Sequence, residues 1–146
     1  MKILVSVDLA EASEKIVKKA EEIARGLSAK LWVLHVAEPD PDFVGYEAGP
    51  QEVRDSLSKK FHDEHVQIQK IAEHLRQTGL DATALLVQGE TVATILQETS
   101  KLGIDIIVIG SHGRGAMYQL LVGSVCEGVL EKSACPVLVV PTHKRA

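Results

Sequence analysis

The sequence is 146 residues long, a length expected to fold as one domain spanning residues 1–146. Hydrophobic residues make up 45% and charged residues 25%, which supports a packed core and excludes a disordered chain. Sixteen basic against 20 acidic residues leave a formal net charge of -4, and aromatics are only 3%, so composition argues against nucleic acid as a partner.

The first apolar run, residues 3–7, stops at Asp8. It has the length of a strand, far short of the roughly 18 apolar residues of a membrane span, and it lacks the apolar stretch of a signal peptide. Ile16, Ala20, Ile23, Ala24 and Leu27 then recur at helical spacing, and Gly26 falls where a helix stop is expected. Residues 31–36 read as a second strand. After it, Pro39, Pro41, Gly45, Gly49 and Pro50 keep residues 38–50 irregular, and a loop of that length is a lid or a flexible insertion. The longest helical stripe follows, through Val53, Leu57, Phe61, Ile68, Ala72 and Leu75, with Gly79 as its terminal cap. His62 and His65 share a face of this helix, but two histidines do not complete a coordination sphere, so a solvated face is expected and no metal site.

Residues 82–87 form a third strand candidate, and Val92, Ile95, Leu96, Thr99 and Leu102 a third helix before Gly103. Residues 104–109 are almost wholly aliphatic, as a strand buried on both faces should be. A last helix covers about residues 125–132, and a last strand, Val137–Val140, lies between Pro136 and Pro141, which cannot donate to a ladder and so bound an edge. Cys126 and Cys135 are too few for a disulfide scaffold and lack metal-ligand spacing. A reducing, cytoplasmic setting is therefore expected, without a membrane partner.

Strand-length runs alternating with helical segments are the pattern of a parallel sheet covered by helices. The expected fold is α/β, a Rossmann-like three-layer sandwich with a five-stranded parallel sheet and about four helices. Such sheets bind ligands at the carboxyl ends of their strands where the strand order reverses, which singles out Asp8, Val36 and Gly110.

The chemistry concentrates after the fourth strand, in Gly110-Ser111-His112-Gly113-Arg114-Gly115, followed by Gly123-Ser124 at the start of the last helix. Glycines let a backbone approach phosphate oxygens closely, and N–H groups at a helix start bind anions. In this layout Arg114 supplies charge, His112 contacts phosphate or fills the turn, and Ser124 caps the helix or turns its hydroxyl to a phosphate. The plainer alternative is a glycine-rich turn that binds nothing. No Gly-x-x-x-x-Gly-Lys-Ser/Thr loop, Gly-x-Gly-x-x-Gly turn or Gly-x-Ser-x-Gly elbow occurs, so binding, or at most slow hydrolysis, is the expected activity.

Gly110, two residues, Gly113, nine residues, then Gly123-Ser124 resembles the nucleotide-binding pattern of the universal stress protein family. The resemblance extends over nearly the whole chain, through Val7-Asp8, Leu34-His35-Val36, Gly89 and the run from Cys135 to Pro141, and it is to a single-domain member of the ATP-binding branch. It implies that Val7 and Asp8 lie near the adenosine, that the backbone at Val36 meets the adenine, and that Gly110 lies beside the ribose. Gly113, Gly123, Ser124 and Val125 match the positions that cradle the phosphates. ATP is the implied ligand, with Mg²⁺ or Mn²⁺ as the companion cation, assisted by Asp8 or Glu11 through water. The resemblance also implies a homodimer, paired antiparallel through Val137–Val140, that acts as a nucleotide-dependent regulator in stress response on a protein partner it does not identify. Two other readings stay open. One is a weak ATPase or phosphotransferase using His112 or Asp8; the other is a nucleotide-free dimeric interaction module, favoured by the negative charge of Glu11 near the pocket.

Overall fold

The structure is a computed structural model that describes residues 1–38, 51–113 and 122–142, with the backbone alone over residues 51–56. The expected irregular segment after Glu38, the loop residues 114–121 and the basic tail lie outside the described residues.

Nine elements alternate along the chain: β1 (Lys2–Ser6), α1 (Ser13–Leu27), β2 (Lys30–Ala37), α2 (Gln51–Gln77), β3 (Ala82–Gln88), α3 (Thr91–Leu102), β4 (Ile106–Gly110), α4 (Ser124–Lys132) and β5 (Val137–Val140). All strand pairs are parallel, in the order β3-β2-β1-β4-β5. The sheet is thus the five-stranded parallel one expected from the pattern, with β5 at an edge. The chain runs outward from β1 through β2 to β3, then returns to the other side of β1 to lay down β4 and β5. The order reverses between β1 and β4, and their carboxyl ends flank the crevice where sheets of this kind receive ligands.

Strand side chains alternate between two cores because successive Cβ atoms point to opposite faces. Ile3, Val5, Leu31, Val33 and Val108 pack with Ile16, Ala20 and Ala24 of α1 and Ile68 and Leu75 of α2. Leu4, Trp32, Leu34, Val36, Ile107 and Ile109 pack on the opposite face with Ile95 of α3 and Cys126 and Val129 of α4. Both faces are covered, which is why the central strands read as continuous apolar runs.

Three element boundaries differ from the sequence expectation, each for a local reason. Gly26 does not stop α1; the helix runs on to Leu27 and ends through Ser28, which takes the left-handed conformation (φ 51°) and donates its N–H to carbonyls of the last turn. The fourth strand begins at Ile106, because the N–H of Ile104 is held by Thr99 O in the C-terminal turn of α3. Among the described side chains, the stripe of α2 is buried toward its end: Ile68, Ala72 and Leu75 are fully buried, whereas Leu57 and Phe61 are each 37% exposed. A 27-residue helix is about 40 Å long, while the eight residues of β2 span only about 26 Å, so the helix overhangs the sheet. Among the described residues, no helix is long and apolar enough to cross a membrane.

Candidate functional site

The crevice is built first from the end of β1. Val7 continues the ladder by donating its N–H to Leu34 O at 2.9 Å, and its carbonyl accepts a hydrogen bond from Nδ1 of buried His35 at 2.9 Å. The carbonyl can only accept, so Nδ1 carries the proton. The other ring nitrogen of His35 meets the Glu64 carboxylate on α2, which ties β1, β2 and α2 together directly beneath the crevice. Both backbone groups of Val7 are engaged inside the fold, and its side chain is buried.

Asp8 then turns the chain. Its Oδ1 accepts from the N–H of Ala10 and from Ser13 Oγ, both at 3.0 Å, and so organises the entry into α1. Leu9, between them, has φ 61°, a left-handed conformation that costs a residue with a Cβ roughly 1–2 kcal/mol. Asp8 thus caps the end of the strand through one carboxylate oxygen, Oδ1. The other faces the glycine turn: a Cβ on Gly113 would lie 3.3 Å from Asp8 Oδ2. Residues 105 positions apart in sequence thus meet across the reversal point.

Each motif glycine has its own steric reason. A Cβ on Gly110 would fall 2.7 Å from Ile16 Cδ1 and 2.8 Å from Thr142 Cγ2, so this position is glycine for packing. Gly123 lies against the turn, where a Cβ would be 3.4 Å from both His112 Cα and Ser111 O, and its N–H donates to Ser111 O at 2.6 Å. Its N–H is thus committed to the turn. His112 is 3% exposed, with its N–H donating to Thr142 Oγ1 at 3.1 Å and its ring Nδ1 3.2 Å from Ser111 Oγ. These bonds seat His112 within the turn.

All four helices begin at this end of the sheet, and the starts of α1, α3 and α4 differ electrostatically. At α3, the N-cap Glu90 accepts from the N–H groups of Val92 and Ala93 at 3.1 and 2.6 Å, while Glu38 accepts from the N–H and Oγ1 of Thr91 at 3.1 and 2.5 Å. At α1, Asp8 occupies the approach. At α4 the N-cap is Gly123, extended at φ -75° and ψ 168°, with no side-chain cap; the Glu127 N–H closes the first turn on Gly123 O. The expectation that Ser124 caps this helix is corrected: Gly123 does, and exposed Ser124 is the first helical residue. An anion is disfavoured beside two carboxylates at α3 and favoured by the positive end of the α4 dipole.

Gly110, His112, Gly113, Gly123, Ser124 and Val125 thus lie along one turn and helix start, with Asp8 brought against them from β1. Val36 lies in the β2–β3 ladder opposite Val87, its side chain buried on the α3 and α4 face. Arg114 lies outside the described residues. No group of three or more His, Cys, Asp or Glu able to hold a metal occurs among the described residues. Burial pushes the Cys126 thiol pKa up, although Cys126 sits in the first turn of α4 where the dipole alone would lower it. Sequence reasoning missed Ser13, which bonds Asp8 five residues away, and His35, Ser111, Thr142 and Glu38, which act through polar contacts between distant segments rather than through a local pattern.

The family model that matches this sequence is that of the universal stress protein family, over residues 1–141. The chain belongs to the universal stress protein family. It is similar to universal stress protein YxiE of Bacillus subtilis, 29% identical over 144 residues that cover 95% of this chain and 97% of the relative. Its fold matches the solved structure of universal stress protein MJ0577 of Methanocaldococcus jannaschii with a TM-score of 0.82 at 28% identity, covering 99% of this chain and 97% of the other. The universal stress protein of Archaeoglobus fulgidus, solved in complex with dAMP, shares the fold with a TM-score of 0.65 at 20% identity, covering 95% of this chain and 96% of that one.

Proposed function

We propose that this universal stress protein binds ATP at the β1–β4 crevice and works as a nucleotide-dependent regulatory homodimer in the cytoplasm. The observation that carries the reading is the contrast between helix starts: α4 opens on Gly123 without a side-chain cap, facing the junction of Gly113 and Asp8, while two carboxylates occupy α3. The phosphates are read onto the N–H groups of Ser124 and Val125 and the Ser124 hydroxyl, with Gly113 leaving the space that a side chain would fill and Arg114 adding charge. Asp8, through Oδ2, accepts from ribose hydroxyls, and the β2 backbone at Val36 reads the adenine edge. A companion Mg²⁺ or Mn²⁺ enters chiefly as a ligand of the phosphates, because Asp8 Oδ1 is already spent on Ala10 and Ser13. The dAMP complex of the A. fulgidus protein is a precedent within the fold; the site itself carries the argument for this chain.

The test is calorimetric titration of the nucleotide-free protein with ATP and Mg²⁺. A micromolar constant, about -8 kcal/mol, is expected for the wild type and its loss in Gly113→Val, whose side chain would press on Asp8. Absence of heat with the wild type at millimolar ATP, with an unchanged melting temperature, would sink the reading.

A further inference from the structure

Thr142 lies past the end of β5, outside every nucleotide-facing position named above, yet it holds the glycine turn from four directions. Its Oγ1 accepts from the His112 N–H at 3.1 Å and donates to the His112 carbonyl at 3.1 Å. The same oxygen lies 3.2 Å from Ser111 Oγ, and the Thr142 N–H donates to Ser111 Oγ at 3.1 Å. Its methyl carbon fills the space that glycine leaves at 110. Ser111 in turn donates its N–H to Val140 O at 2.9 Å and accepts from Gly123 N–H at 2.6 Å, so the clasp continues into the N-cap of α4.

The chain of contacts therefore runs from the end of the edge strand, through Thr142, Ser111 and His112, to both halves of the phosphate cradle. A single hydroxyl satisfies the N–H and C=O of one buried residue, an arrangement that fixes the peptide planes on either side of His112. Those planes set the direction of the backbone leading into Gly113, and the Ser111 carbonyl sets the position of Gly123. Preorganisation of this kind matters most to a ligand that depends on backbone N–H direction.

We propose that Thr142 is a positioning residue for phosphate recognition: it touches no nucleotide, and it holds the glycine turn and the start of α4 in the geometry that a polyphosphate requires. The proposal rests on the nucleotide reading above and adds its structural control. It also makes the edge strand and the cradle one mechanical unit, since Val140 and Thr142 both bond the turn.

The test compares ATP and adenosine as ligands of the wild type, Thr142→Val and Thr142→Ser, with melting temperatures recorded for each. Thr142→Val keeps the shape and removes the hydroxyl; it is expected to weaken ATP binding at least tenfold while adenosine binding stays within twofold. Thr142→Ser restores the hydroxyl and is expected to stay within threefold of wild type for both ligands. Should Thr142→Val fail to fold, Ser111→Ala removes the other half of the clasp, with the same loss expected for ATP alone. Equal losses for ATP and adenosine, or no loss for ATP, would overturn the proposal while leaving the nucleotide reading intact. A wild type that binds neither ligand would overturn both.

Discussion

At the scale of single residues, the glycine motif divides into positions with different physical work. Gly110 is required by packing, with Ile16 and Thr142 pressing on it from two sides, whereas Gly113 and Gly123 keep the turn close to Asp8 and to the start of α4. Gly110→Ala must displace both neighbours and is expected to destabilise the protein by about 1–3 kcal/mol, the usual cost of overpacking, read as a shift in the denaturation midpoint. A change within about 0.5 kcal/mol would show that Ile16 and Thr142 yield easily. The motif was legible in sequence because glycines at fixed spacing leave a composition signal. The division of roles was not, since Gly110 owes its identity to a side chain 94 positions upstream and another 32 positions downstream. Ser124 shows the same limit. A serine after a glycine at a helix start reads equally well as cap or first helical residue, and the extended backbone of Gly123, whose carbonyl accepts from the Glu127 N–H, decides between them.

At the scale of elements, the helices and strands were legible wherever burial gives the sequence a period. Burial of β1, β2 and β4 on both faces left apolar runs, and the last half of α2 carried a full helical stripe. Element ends were less legible, because capping depends on one residue's backbone conformation. The end of α1 is the clearest instance: Gly26 offered the conventional signal, yet the left-handed position falls on Ser28, which is exposed. Ser28→Gly removes the cost of a Cβ in that conformation and is expected to stabilise the protein by about 0.5–1 kcal/mol, measured by chemical denaturation with Trp32, the single tryptophan, as reporter. A loss of stability would mean that Ser28 contributes more through its side chain than its conformation costs.

At the scale of the whole molecule, the topology explains why residues so distant in sequence converge. The jump from β3 back across β1 to β4 places Asp8, Gly113 and Gly123 in one crevice, and the parallel sheet points helix starts toward it. The two sheet edges are β3 and β5, and β5 is the short one, four residues between two prolines. Pairing of that edge with a second copy is the basis of the proposed homodimer, for which light scattering after gel filtration should give twice the chain mass of 15.8 kDa. A monomeric mass at tens of micromolar would contradict it. The glycine turn and the end of β5 are structurally connected through Thr142, so the proposed nucleotide binding and the proposed pairing belong in the same set of measurements.

The most direct measurement is an amide NMR titration of the nucleotide-free protein with ATP and with adenosine, resolved by residue. If the phosphates sit at the start of α4, the amides of Gly113, Ser124 and Val125 shift with ATP and far less with adenosine, while Thr91, Val92 and Ala93, capped by Glu38 and Glu90, stay nearly fixed. Shifts centred on the start of α3, or identical responses to the two ligands, would contradict the assignment of the phosphate cradle.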